Sequence, residues 1–372
     1  MHHLRLVTGV MVLMFLIAAC APAAPASPTG AAPAPAVAKP ATSAGAVKSI
    51  TELTPLAQRA QVKMAINSAI VTYLPLLMAI DKGYFAKAGI DVQEQPFNTS
   101  ATSQLPLLAR GDLDLAPVVP APATYNQLSQ GFNVQVIAAF SAPQPGRVSD
   151  SWLSVRSDLV DQIKALPDLK GKTVEGAVEG SPIALLAIEA IRKSNLSAGQ
   201  DVQLTYRIKG PADMLAIAQS KGADVIGMTE PTASQAEQQG IAKRWLTYSD
   251  LAPWYQSLLV GASSQFLQTR PEVAQKFLEV YVLAAREVNA TNGAWTDDLL
   301  NLMSKRAGVD GATLKAQGGV PYYDPNVLVS TDSLTNTQQI WLRENQVKQA
   351  IEVQQLVNPR PLEQALQVVG RG

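Results

Sequence analysis

Between residues 62 and 131 the apolar and polar positions repeat one unit: a short apolar run, a small polar loop, then apolar residues at helical spacing. Residues 62–66 predict a buried strand and 67–72 its loop. Residues 73–85 predict a helix that tolerates Pro75 in its first turn. Gly89 is the expected helix stop before a strand at 90–94. A third unit follows, with a helix at 102–109, a strand at 113–118 and a helix at 122–130. Strands alternating with helices predict a parallel sheet covered on both faces. Ligands of such sheets sit beyond the carboxyl ends of the strands, so the loops of these units are expected to form a binding surface.

The alternation continues. A strand at 134–139 leads through a loop at 140–150 into a strand at 152–156, read as a crossing to a second lobe, and then a helix at 158–165. Residues 173–176 predict a strand whose loop, Gly180-Ser181-Pro182, opens a helix at 183–193. Segments 202–206, 211–219, 225–227 and 232–239 extend the pattern, and 245–251 with 256–261 read as the return crossing. Two crossings make the second lobe, 156–247, an insertion into a first lobe formed by 61–155 and the chain from 248 onward. After Pro271 the spacing is helical only, with helices expected over 295–307 and 335–355 around a Gly/Pro-marked loop at 318–325. The predicted fold class is α/β: two lobes, each a mostly parallel sheet flanked by helices, and a helical C-terminal tail.

Residues 1–20 carry a basic start, a short apolar run and the small-residue end Ala18-Ala19-Cys20. So short a core followed by small residues reads as a signal peptide, the alternative being a plain membrane anchor. LIAAC resembles the bacterial lipobox, which implies Cys20 as a lipidated N-terminus. Residues 21–60 begin as an Ala/Pro-rich stretch without apolar periodicity, an extended, semi-stiff spacer.

Composition sharpens the picture mainly by exclusion. Formal net charge is +0 and only 16% of residues are charged, so a nucleic-acid partner, which needs a concentrated basic face, is not expected. The leader holds Arg5 alone among charged residues, so its removal barely changes that balance. Cys20 is the only cysteine, and His2 and His3 are the only histidines. A processed chain therefore has no imidazole and no internal disulfide, which excludes His-based acid–base catalysis, Ser-His-Asp hydrolysis and His or multi-Cys metal sites. No cofactor or metal is expected, and no G-x-G-x-x-G follows any predicted strand.

Candidate binding residues lie on the predicted loops. Gly180 and Ser181 start a helix whose free N–H groups can hold an anion or a carbonyl oxygen, although Ser181 is equally a plain helix cap. Asn67, Ser68 and Tyr73 leave the first strand, and Asn98, Thr99 and Ser100 the second; small polar groups there serve a ligand or merely their own turns. Phe140, Trp152, Trp254 and Tyr255, with Tyr125, are aromatics near loops or crossings that could sandwich a planar ligand or fill the core. The loops at 67–73, 98–103, 117–124, 140–144, 180–182 and 229–231 contain no Lys or Arg. Anions often recruit a cation, so that absence tilts expectation toward a neutral aromatic ligand, with Arg147 or Arg156 able to reverse it by pointing inward.

KGYFAKAGIDV and ARGDLDLAPVVPAPA, then LPDLKGKTVEGAVEGSPIALLAIEAI and GADVIGMTEPTASQAEQQG, carry a family resemblance. The chain is similar to type II periplasmic solute-binding proteins serving ABC importers for nitrate, sulfonates and taurine, thiamine-pyrimidine precursors and riboflavin. The resemblance implies a monomeric receptor, lipid-anchored on the extracytoplasmic side, that delivers a small molecule to a membrane ABC permease. It also implies an acidic residue facing the cleft at Glu230, the alternative being a solvated first-turn glutamate. Riboflavin or a thiamine-type pyrimidine is the expected ligand, with sulfonate, taurine or nitrate as the alternative. An enzyme is the lesser alternative: eukaryotic relatives that make the thiamine pyrimidine consume a histidine of their own, which this processed chain lacks. A sensory lipoprotein is the other.

Overall fold

The computed structural model describes residues 49–97 and 101–372. These residues belong to a single contact-continuous unit. The first lobe opens with β1 (Ala60–Ile66), α1 (Leu74–Asp81), α2 (Tyr84–Lys87) and β2 (Ile90–Pro96). It continues through α3 (Leu105–Arg110), β3 (Leu115–Val118), α4 (Pro122–Ser129) and β4 (Val134–Ala139). The second lobe holds β5 (Ser151–Arg156), β6 (Thr173–Glu175), α5 (Pro182–Lys193), β7 (Gln203–Thr205) and α6 (Pro211–Gln219). It ends with β8 (Val225–Thr229), α7 (Thr232–Gln238), β9 (Ala242–Leu246) and α8 (Tyr248–Leu251). The chain then returns through β10 (Leu259–Ser263), α9 (Ser264–Thr269), α10 (Pro271–Asn289), α11 (Asp297–Ala307) and α12 (Gly311–Ala316), and finishes with α13 (Thr331–Arg343), α14 (Val353–Leu356) and α15 (Arg360–Val369).

Two five-stranded mixed sheets result, ordered β2-β1-β3-β10-β4 and β7-β6-β8-β5-β9. β1 pairs in parallel with β2 and β3, and β6 with β7 and β8. The antiparallel partners are β10 in the first sheet and β5 in the second. Each is the strand that has just crossed from the other lobe. The lobes are thus topological copies that exchange one strand.

A matched pair of aspartates fixes both copies. Asp114 accepts from the Lys63 amide through Oδ2 at 2.8 Å and donates its own amide to the Lys63 carbonyl at 2.9 Å. Asp224 does the same with Thr173, at 2.9 Å in both directions. Each aspartate also holds a guanidinium, Arg270 on Asp114 and Arg156 on Asp224. Arg156 is therefore committed to the far end of β5 and does not point into a ligand site.

Several expected elements differ in detail. The helix expected over 73–85 is two, because Gly83 adopts a left-handed φ of +67° that ends α1 and starts α2. Residues 158–165 form only the 3₁₀ turn Ser157–Leu159; Asp158 is drawn to Arg156 and Lys221, and a second 3₁₀ turn with Pro167 in its first turn follows at Leu166–Leu169. The long helix expected over 335–355 is split into α13 and α14, with Asn345 at φ +56° between them. The first lobe's core gathers around α10, whose Phe277 stacks on Phe85 at 4.8 Å. A second apolar cluster joins Leu185 and Tyr248 of the second lobe to Tyr125 of α4 and Trp341 of α13. The indole of Trp341 donates to the carbonyl of Pro120 at 3.0 Å. α13 therefore packs against both lobes.

Candidate ligand-binding site

The two crossings, 140–150 between β4 and β5 and 247–258 between β9 and β10, run together: the Phe140 amide donates to the Leu258 carbonyl at 3.1 Å. A pocket opens between them, lined among others by Ser141, Ser149, Asp150, Tyr248, Tyr255 and Ser257. Its enclosed space is about 30 Å³, room for water but not for an organic solute. No Lys or Arg is among its lining residues. Arg147 lies close in sequence, but its guanidinium sits over the Tyr322 ring at 5.7 Å and against Gly293.

Asp150 sits where the lobes meet. Its Oδ2 accepts from Thr72 Oγ1 of the first lobe at 2.9 Å, its Oδ1 from Ser151 Oγ at 3.1 Å, and its carbonyl from the Glu230 amide of the second lobe at 2.9 Å. The rings of Tyr248 and Tyr255 are 4.9 Å apart, and Trp254 meets Tyr255 edge-on at 6.0 Å. The Tyr255 hydroxyl is buried without a hydrogen-bonding partner. Burial pushes both phenols well above their ordinary pKa, the neighbouring Asp150 charge adding to it, so both stay protonated donors at neutral pH.

The residues singled out in the sequence scatter around this pocket. Tyr255 lines it, and Trp254 backs Tyr255. Phe140 is next to the lining but buried, packed on Tyr73 at 4.7 Å in the first lobe's core. Tyr73 is fully buried in that core, at the end of the 3₁₀ turn Val71–Tyr73 that leads into α1. Asn67 Oδ1 accepts from the Ala69 amide at 3.2 Å, a local turn bond, and Ser68 is half-buried beside it. Asn98, Thr99, Ser100 and Cys20 lie outside the described residues. Tyr125 is core, its hydroxyl donating to the Leu334 carbonyl at 2.7 Å.

In the second lobe Ser181 caps α5, its Oγ accepting from the Ala184 amide at 3.2 Å. Gly180 has φ +73°, and a Cβ there would stand 3.1 Å from Pro122 of the first lobe and 3.3 Å from Gln346. Their loops therefore touch across the lobes. Glu230 is neither solvated nor open to a cleft. It is clamped by Ser234 Oγ at 2.7 Å and Arg244 at 3.2 Å, with its side chain only 3% exposed. Burial raises its pKa above the ordinary carboxylate value, the hydrogen bonds of Ser234 and the Arg244 charge opposing the rise. The same Arg244 lies over the half-buried Trp152 ring at 5.2 Å, and Ser234 and Arg244 reach the carbonyls of Ala316 and Gln317. Trp152 and Glu230 thus belong to an interlobe clamp. Asp150 and Tyr248 were missed; their signal was their position inside the two crossings, which the alternation of elements already marked.

Residues 71–290, more than half of the chain, match the family model described as NMT1/THI5 like. The chain belongs to the NMT1/THI5-like family. It is 25% identical over 228 residues to the Bacillus subtilis protein named "Putative binding protein YtlA"; the match covers 61% of this chain and 66% of that relative, just under two thirds of its length. Solved structures share the family member's fold. The ligand-binding component of an ABC-type import system from Staphylococcus aureus, with zinc bound, superposes with a TM-score of 0.66 at 15% identity, covering 83% of this chain and 99% of that one. The periplasmic aliphatic sulphonate-binding protein SsuA of Escherichia coli gives 0.63 at 19% identity, covering 80% and 92%. Among the described residues no group of His, Cys, Asp and Glu could hold a metal ion, and no helix is long and apolar enough to cross a membrane.

Proposed function

We propose that this protein is the solute-binding component of an ABC importer, tethered outside the cytoplasmic membrane through a lipidated Cys20 and handing its ligand to a membrane permease as a monomer. The observation that carries the reading is the pocket at the lobe junction, lined by both crossings and by hydroxyl and carboxylate groups that can hydrogen-bond a ligand. Neighbours with the same fold, one described as the ligand-binding component of an ABC-type import system and one as a periplasmic aliphatic sulphonate-binding protein, support it. From residue 49 onward the chain has no His and no Cys, so the groups most used for proton transfer and nucleophilic attack are missing, which supports a receptor over an enzyme.

The ligand we propose is a planar, vitamin-like heterocycle, riboflavin or a thiamine-type pyrimidine precursor. A lining without cations and three adjacent aromatic rings support it. So do Ile70 and Val178, two of three exposed large hydrophobic residues among those described, which lie on loops at the carboxyl ends of β1 and β6. Thermal melting of the full chain in the presence of riboflavin, aminomethyl-pyrimidine, taurine and nitrate tests this. A ligand selective for the folded state must raise Tm, by RT ln(1 + [L]/Kd) in free energy. A rise with a flat heterocycle and quenching of Trp254 are expected. A rise with taurine or nitrate alone leaves the receptor and removes the heterocycle, and no rise with any of the four counts against the receptor.

A further inference from the structure

We infer that Asp150 reads ligand charge at the lobe junction, so that the site selects a small solute bearing an ammonium, amidinium or amino N–H group and rejects anions. This rests on the receptor reading above and specifies its ligand class. The carboxylate is the one charged group lining the pocket. A carboxylate offers about four acceptor positions. Two are taken, by Thr72 Oγ1 and Ser151 Oγ, which also hold the group at the junction. The open positions share the pocket with Tyr255 Oη, whose side chain is 0% exposed and whose hydroxyl meets no partner in the protein. A buried donor without an acceptor is costly, and a ligand supplies the missing one. The site therefore offers one negative acceptor and the neutral phenol donor of Tyr255 on a wall of aromatic rings. That combination fits a cationic or amino-bearing ring carrying a neighbouring acceptor atom. It opposes sulfonate or nitrate, whose charge would face Asp150 with no cation to offset it.

The test is calorimetric titration of the full chain, native and variant, with aminomethyl-pyrimidine as the cationic ring, riboflavin as the uncharged one, and ethanesulfonate and nitrate as anions. Native protein should bind the cationic ring, and Asp150→Asn should weaken that binding about tenfold or more, the range expected for a charge-assisted hydrogen bond. Tyr255→Phe removes a hydroxyl that bonds nothing in the free protein. It should leave the ligand-free Tm unchanged or higher and still lower affinity several-fold. Because Tyr255→Phe breaks no internal bond, it remains informative if Asp150→Asn folds poorly. Equal affinity of both variants and native protein for the cationic ring overturns the inference. So does binding of ethanesulfonate or nitrate by native protein, an outcome that keeps the receptor; selective binding of riboflavin alone likewise keeps the receptor and removes the charge reading. Failure of all four probes removes both readings.

Discussion

Glu230 shows how a single residue can be foreseen in place and misjudged in role. Its position after β8 is legible from the alternation of elements, but its partner, Arg244, lies fourteen residues on, on a strand whose facing only the folded sheet decides. The buried ion pair makes a sharp prediction. Arg244→Ala leaves a 3%-exposed carboxylate without its cation and should cost about 3 kcal/mol in chemical denaturation, whereas an ordinary surface Arg would cost almost nothing. The pH dependence has a definite sign. A raised folded-state pKa means that Glu230's contribution to stability is present below the unfolded value of 4.5 and is lost as pH rises through the folded one. Against Glu230→Gln, fixed in the uncharged form, native protein should be at its best in acid and lose ground toward neutrality. A Tm difference that does not change between pH 4 and 7 would show that Glu230 titrates as it does in the unfolded chain.

At the scale of elements, strands and amphipathic helices were legible because period and punctuation agreed: β4 and α6 occupy the predicted residues, and α5 begins at its Ser-Pro signal. What periodicity could not show was where a helix breaks without Pro, as at Gly83, or where side-chain pairing prevents a helix, as after Asp158. Nor could it show how closely layers approach. Gly227 in β8 has no room for a side chain, since a Cβ would lie 2.2 Å from Ile183 Cγ2 and 3.2 Å from the Glu175 carbonyl. α5 rests directly on that glycine. Gly227→Ala must push Ile183 and the start of α5 outward, at a cost of about 1–3 kcal/mol typical of overpacking. Ligand affinity should fall with it, because the Gly180 loop moves with the helix. Unchanged stability on denaturant unfolding would mean that Ile183 finds another rotamer and α5 accommodates the methyl group without moving.

For the whole molecule, the question is how a pocket with about 30 Å³ of free space accepts a solute for which sites of about 300–1,000 Å³ are usual. The lobes must part to admit it. Contacts that hold them together near the site include Thr72 on Asp150, Ser234 and Arg244 on the Ala316 and Gln317 carbonyls, and Gly180 against Pro122. The Gly180 contact can be tested without removing a hydrogen bond. In Gly180→Ala the new Cβ presses on Pro122 and Gln346 only while the lobes are together, so the substitution favours parted lobes. It also carries the strain of a left-handed alanine, roughly 1 kcal/mol, which must be separated from the contact. Gly171→Ala supplies that control: φ there is +75°, almost that of Gly180, yet nothing lies within 4 Å of a Cβ. Both variants should lose similar stability. Only Gly180→Ala should raise the radius of gyration measured by X-ray scattering, and only it should change the rate at which ligand binds. If the two variants scatter alike, the Gly180–Pro122 contact does not govern closure, and the hydrogen bonds of Thr72, Ser234 and Arg244 hold the lobes instead.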